Sequence, residues 1–102
     1  MSVIHVNEEN FEEEVVKSDK TVLVDLYADW CAPCQMLGPV LEEIAAEHPE
    51  YKICKVNVDK SPSIASAFRA SSIPMLVAVK NGKVSDVSVG LVPKSKILDL
   101  LK

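Results

Sequence analysis

The chain predicts an α/β fold, a central mixed β-sheet flanked by helices on both faces. Three observations carry that expectation. Two apolar runs of strand length, residues 21–27 and 53–59, are separated by a segment whose apolar residues recur at helical spacing, the pattern of a parallel βαβ crossover. Asn81-Gly82, the strongest two-residue hairpin signal, divides two further short apolar runs and adds an antiparallel pair. At 102 residues the chain fits one domain, residues 1–102, long enough to bury its own core.

Taken in order, residues 3–6 read as a short strand, and Asn7 stands as the cap of an acidic helix that turns Phe11, Val15 and Val16 inward. The acidic residues at 8, 9, 12, 13 and 14 form its solvated face, with the sign that suits a helix N-terminus. Residues 21–27 are a buried strand by their nearly continuous apolar run. Leu37, Val40, Leu41, Ile44 and Ala45 then repeat at helical spacing through a long amphipathic helix. Pro39 removes one backbone bond inside it, and a kink is expected there, eased by Gly38.

After the strand at 53–59, Ser61 and Pro62 have the cap and first-turn chemistry of a short helix whose Ile64, Ala67 and Phe68 face inward. Residues 75–79 and 84–89 make the hairpin. A last helix starts near Pro93 and buries Ile97, Leu98 and Leu101. The order is therefore βαβαβαββα, with no repeat, linker or low-complexity segment.

Composition narrows the function. The net charge is −4 and no cluster of Lys or Arg stands out, which argues against nucleic acid and membrane surfaces as partners. Met-Ser-Val-Ile-His is too poor in apolar residues for a secretory leader, and the three cysteines do not suit a secreted disulfide scaffold. A cytoplasmic protein is expected.

The chemistry lies in Cys31 and Cys34, at the junction between the strand at 21–27 and the long helix. The unpaired N–H groups of a helix's first turn favour a thiolate at Cys31, and the thiolate is the attacking species in disulfide exchange. Cys34, one turn on, closes a short ring with it. Ala32 and Pro33 between them suit a first turn, where a missing N–H costs nothing. Trp30, the only tryptophan, offers an apolar platform beside a nucleophile expected to be exposed, although tryptophan is more often core.

Together these residues resemble a thioredoxin over essentially the whole chain. The likeness rests on Val24-Asp25, then Ala28-Asp29-Trp30-Cys31-Ala32-Pro33-Cys34 and Pro39, then Lys55, Asn57 and Asp59, and finally Ile73-Pro74, Lys80-Asn81-Gly82 and Gly90. Ala32 replaces the family's usual glycine, a change that suits a helix start and bears on redox potential. Ser72 and Met75 also depart from the usual pattern around the Ile-Pro pair.

The resemblance implies a thioredoxin fold and a protein-disulfide reductase without cofactor or metal, a monomer that serves disulfide-containing target proteins and is re-reduced by a thioredoxin reductase. The absence of histidine between the cysteines favours a reductant over an oxidase. The resemblance also implies a cis Pro74 packed beside the cysteines, and an apolar docking surface of Trp30, Ile73, Pro74, Val89, Gly90 and Leu91, adjoining Ala32 and Pro33.

Asp25 would be a buried carboxylate among apolar neighbours, on the side of the strand shared by Leu23 and Tyr27. In thioredoxins the matching aspartate sits behind the second cysteine, which gives it a proton-transfer role. Its pKa is expected to rise by desolvation, with the thiolate as a like-charge second cause. Lys55 is its expected neighbour. Cys54 reads as a small buried hydrophobe on the face of Val56 and Val58.

Two alternatives belong to other classes. A non-enzymatic binding subunit would use the same groove. A zinc module would need four ligands, for which only Cys54, His5 and His48 remain as further donors.

Overall fold

The computed structural model describes residues 3–102. Met1 and Ser2, the start of the stretch read as too poor in apolar residues for a leader, lie outside them. Five strands form one sheet in the order β1-β3-β2-β4-β5, with β1 (Ile4–His5), β2 (Thr21–Tyr27), β3 (Tyr51–Asn57), β4 (Met75–Lys80) and β5 (Lys83–Val89). β1, β3 and β2 run parallel; β4 and β5 are antiparallel to their neighbours. The mixed sheet, and the hairpin with Asn81 and Gly82 both at positive φ, stand as the sequence implies.

Alternation along β2 assigns its residues to two cores. Leu23 packs with Leu76 and Ala78 under helix α1 (Ala32–Glu47) and helix α3 (Lys94–Leu101), through Leu37, Leu41 and Ile97 among others. Val22, Val24 and Leu26 pack on the other face with Cys54, Val56 and Ile64 of helix α2 (Pro62–Ala67). Helices therefore cover both faces, as a sheet apolar on both sides requires.

Several local expectations change. The acidic segment forms a five-residue π-helical turn, Glu12–Val16, in place of an α-helix, closed by the Lys17 N–H on the Glu12 carbonyl. That wider winding breaks the α spacing: Val15 is buried, but Val16 is turned out. Asn7 does accept two backbone N–H bonds, from Glu9 (2.9 Å) and Asn10 (3.3 Å), so it caps the turn ahead of that element. α1 continues through Pro39 to Glu47 without interruption.

β3 lies two residues earlier than expected. Its end is set by Asn57, whose side-chain oxygen accepts the N–H groups of Asp59 (2.9 Å) and Lys60 (3.2 Å) and turns the chain out of the sheet. Ser61 precedes α2 but makes no side-chain cap bond, and Ala67 faces solvent. In α3, Leu100 joins Ile97 and Leu101 inside, whereas Leu98 lies only partly covered on the flank.

Candidate active site

Cys31 is the N-cap of α1, with extended backbone (φ −93°, ψ 108°), and its sulfur accepts the Cys34 N–H at 3.2 Å. Pro33 sits in the first turn, where it removes no helical bond. The turn that feeds the helix is tied by the Cys31 N–H on the Ala28 carbonyl (3.2 Å) and by Gln35 Nε2 on the Asp29 carbonyl (2.6 Å). Cys31 and Cys34 are joined in a disulfide, with Cα atoms 5.2 Å apart. In this oxidised state both are buried, Cys31 at 4% exposure, where the sequence reading had an exposed nucleophile. They pack with Ala28, Tyr27, Val58 and Ile73.

Trp30 is not core. It is 72% exposed, and its indole N–H donates to Asp59 Oδ2 at 2.9 Å. Asp59 is thus a residue to which the sequence reading assigned no role. Asn57 sets it in place through the turn after β3, and the only sign in the chain is the Asn-x-Asp spacing at the end of a strand. Ala32 and Pro33, beside Trp30, are exposed as well.

On the other side of the disulfide, the Ile73-Pro74 bond is cis, as the resemblance implies. The Ile73 carbonyl oxygen lies 4.0 Å from Cys31 Sγ. Among the described residues no backbone hydrogen bond engages Ile73, whereas the Pro74 carbonyl accepts the Gly90 N–H at 2.8 Å. That bond brings the end of β5 to the site, with Val89 and Leu91 exposed on either side of Gly90.

Asp25 has no exposed surface, and neither carboxylate oxygen has a hydrogen-bond partner among the described residues. It pairs in register with Leu76 and Lys55 and shares the β2 face of Leu23, the face covered by α1. Desolvation raises its pKa to about 7; the positive charge of Lys55 pulls the other way. The second cause is therefore an opposing cation rather than the expected thiolate, because the oxidised pair carries no charge. Lys55 Nζ sits 4.4 Å from the centre of the Tyr27 ring. Lys55 also lines an open cleft of about 410 Å³ with His5, Asn57 and Lys60, which neither cysteine reaches.

Cys54 is buried with Val56 and Ile64 on the opposite face, and burial pushes its thiol up to about 12. His48 stands at the far end of α1. The donors a zinc site would need are thus separated by the sheet and by the length of the helix.

A dithiol that caps a helix at the end of a parallel strand, set between an exposed indole and a cis proline, defines a thiol–disulfide oxidoreductase. The family model described as Thioredoxin matches residues 2–102. The thioredoxin of Rickettsia bellii is 44% identical over 93% of this chain and 91% of its own. That of Chlorobaculum thiosulfatiphilum is 47% identical over 88% and 84%, and that of Haemophilus influenzae 42% identical over 97% and 94%. The chain belongs to the thioredoxin family, and its chemistry is the reduction of disulfides by dithiol exchange. Disulfide-containing molecules are its targets as a class. No helix among the described residues is long and apolar enough to cross a membrane.

Proposed function

We propose that residues 1–102 act as one monomeric, cytoplasmic domain that reduces disulfides in partner proteins and is itself re-reduced by a thioredoxin reductase, without nucleic-acid or membrane partners. The reduced Cys31, held where helix N–H groups favour negative charge, attacks one sulfur of the target disulfide. A mixed disulfide forms and the target's other sulfur leaves as a thiolate. Cys34 gives its proton to Asp25 and attacks Cys31 Sγ. The Cys31–Cys34 disulfide closes, and the target departs with both sulfurs reduced.

Lys55 tunes Asp25 by its charge. Trp30, Ala32, Pro33, Ile73, Pro74, Val89, Gly90 and Leu91 receive the target. The Ile73 backbone, engaged by no backbone hydrogen bond among the described residues, suits pairing with an extended segment that carries the target disulfide.

The observation that carries this reading is the disulfide-forming pair at the N-cap of α1, the helix that covers the sheet face bearing Asp25, a buried carboxylate whose pKa, raised to about 7, lets it take a proton at neutral pH. Its test is Cys34→Ser, which removes the second attack and is expected to hold targets as mixed disulfides on Cys31. Adducts should appear on non-reducing gels of a lysate and vanish with dithiothreitol. No adducts, with no reduction of insulin disulfides by the parent chain, would favour a binding subunit that keeps the groove without the chemistry.

A further inference from the structure

β5 runs from the Asn81-Gly82 turn to the dithiol, and three of its valines are about half exposed: Val84 at 54%, Val87 at 42% and Val89 at 56%. Their spacing, three and then two, does not match strand alternation. The pairing register restores it. Val84 stands opposite Val79, Val87 opposite Val77 and Val89 opposite Met75, and an irregularity between Ala78 and Val79 absorbs the extra residue.

Val79, Val77 and Met75 all belong to the core on the α2 side of the sheet. Directly paired residues share a face, so the three valines form one apolar stripe on that side, beyond the cover of α2. Val16 prolongs it at the turn: it is 39% exposed, and its Cγ1 lies 3.4 Å from where a Cβ on Gly82 would stand. At the other end the stripe meets Gly90, bonded to Pro74, whose neighbour Ile73 has its carbonyl oxygen 4.0 Å from Cys31 Sγ. From Val84 to Val89 it covers roughly 17 Å, at about 3.3 Å per strand residue.

Three observations indicate the occupant. β5 is the sheet's edge, yet the Val87 N–H is taken by the Asp86 carboxylate (2.8 Å) and the strand carries Lys83 and a bulge. These devices obstruct the addition of a further strand, including one from a second copy. Four half-exposed valines also fall well short of the ~800 Å² per partner of a stable interface, which points to a transient visitor. The stripe is continuous with the surface around the dithiol, the place a target disulfide must reach.

We infer that Val84 and Val87 bind apolar side chains of an extended segment flanking the target's reactive cystine, and so select among protein disulfides. This rests on the reductase reading above and adds a specificity surface to it.

The test compares two cystine peptides that share one disulfide loop, one with a six-residue apolar extension and one with a serine-glycine extension, each extension placed before and after the loop. A small aromatic disulfide serves as a third substrate. The protein is the parent chain or the double variant Val84→Thr with Val87→Thr, which keeps β-branching and volume; a denaturant midpoint near the parent's confirms its fold. In the parent, the apolar extension on one side is expected to raise kcat/KM by on the order of tenfold, the scale of two partly buried valines. The double variant is expected to lose that gain and to reduce the small disulfide at the parent's rate.

A parent indifferent to the extension, or a variant that keeps the gain, overturns the inference. So does sedimentation that finds a parent dimer dissolved by the double substitution, since the stripe then belongs to a self-interface. Failure of the parent on all three substrates instead removes the reductase reading beneath it.

Discussion

Asp25 and Cys54 lie one register step apart on adjacent strands, Cys54 beside Val24 and Asp25 beside Lys55, on opposite faces of the same sheet. Neither has exposed surface. Desolvation raises both pKa values, Asp25 to about 7 and Cys54 to about 12. One physical cause therefore has opposite chemical results. A carboxyl starts low enough that burial brings it into the range where it exchanges protons with a thiol at neutral pH. A thiol starts high, and the same burial makes it inert. Burial by itself does not mark a functional group; the value it shifts the group to decides.

The largest effect expected from this contrast is in thiol reactivity. In the reduced protein at neutral pH, alkylation followed by peptide mapping is expected to label Cys31 first and Cys54 last. Cys31→Ser is expected to abolish turnover, while Cys54→Ala keeps it, at a stability cost of about 1 kcal/mol for the lost packing. Labelling of Cys54 ahead of Cys31 would break the comparison at its root.

Next in size is Asp25→Asn. With the proposed proton acceptor gone, release of the mixed disulfide is expected to slow on the order of a hundredfold in single-turnover reduction. The stability sign follows from the raised pKa. The unfolded chain releases this proton near the ordinary value of 3.8, and the native protein holds it to about 7. Stability from the group is therefore full below 3.8 and is lost as pH rises through about 7. The variant lacks that loss, so its advantage over the oxidised parent is expected to be wider at pH 8 than at pH 5 by roughly 2–3 kcal/mol. Denaturant midpoints at the two pH values measure it. Parallel stability curves with unchanged release would leave Asp25 a structural residue.

The smallest effect concerns Lys55, whose charge opposes the desolvation of Asp25. Lys55→Gln is expected to move the Asp25 midpoint upward by about a unit or less, read from the carboxyl carbon in an NMR titration. The acid limb of the pH profile for mixed-disulfide release, along which Asp25 loses its proton and becomes able to accept one, should follow it. A midpoint that stays or falls would mean that the cation stacked on Tyr27 does not reach the carboxylate.

How much of this was legible in the chain follows from the range of each interaction. The run at 21–27, the spacing of Leu37, Leu41 and Ile44, and Asn-Gly at 81–82 depend on neighbours within a few residues, and each folds as read. Cys31 and Cys34 at a helix start are local in the same sense, and so is the capping bond between them. Ideal α spacing turns Val16, Ala67 and Leu98 inward, yet which face is inward is set by the sheet each element packs against and, for Val16, by π winding.

The order of elements, the dithiol at a helix N-terminus and a carboxylate in a buried strand are all legible in the chain, because period, capping and turn chemistry are properties of short segments. Only the three-dimensional packing places Asp59, twenty-nine residues on, against the indole of Trp30. It also decided that a bulge gathers Val84, Val87 and Val89 onto one face. Those relations join residues distant along the chain, and strand order and register, which no local pattern encodes, bring them together.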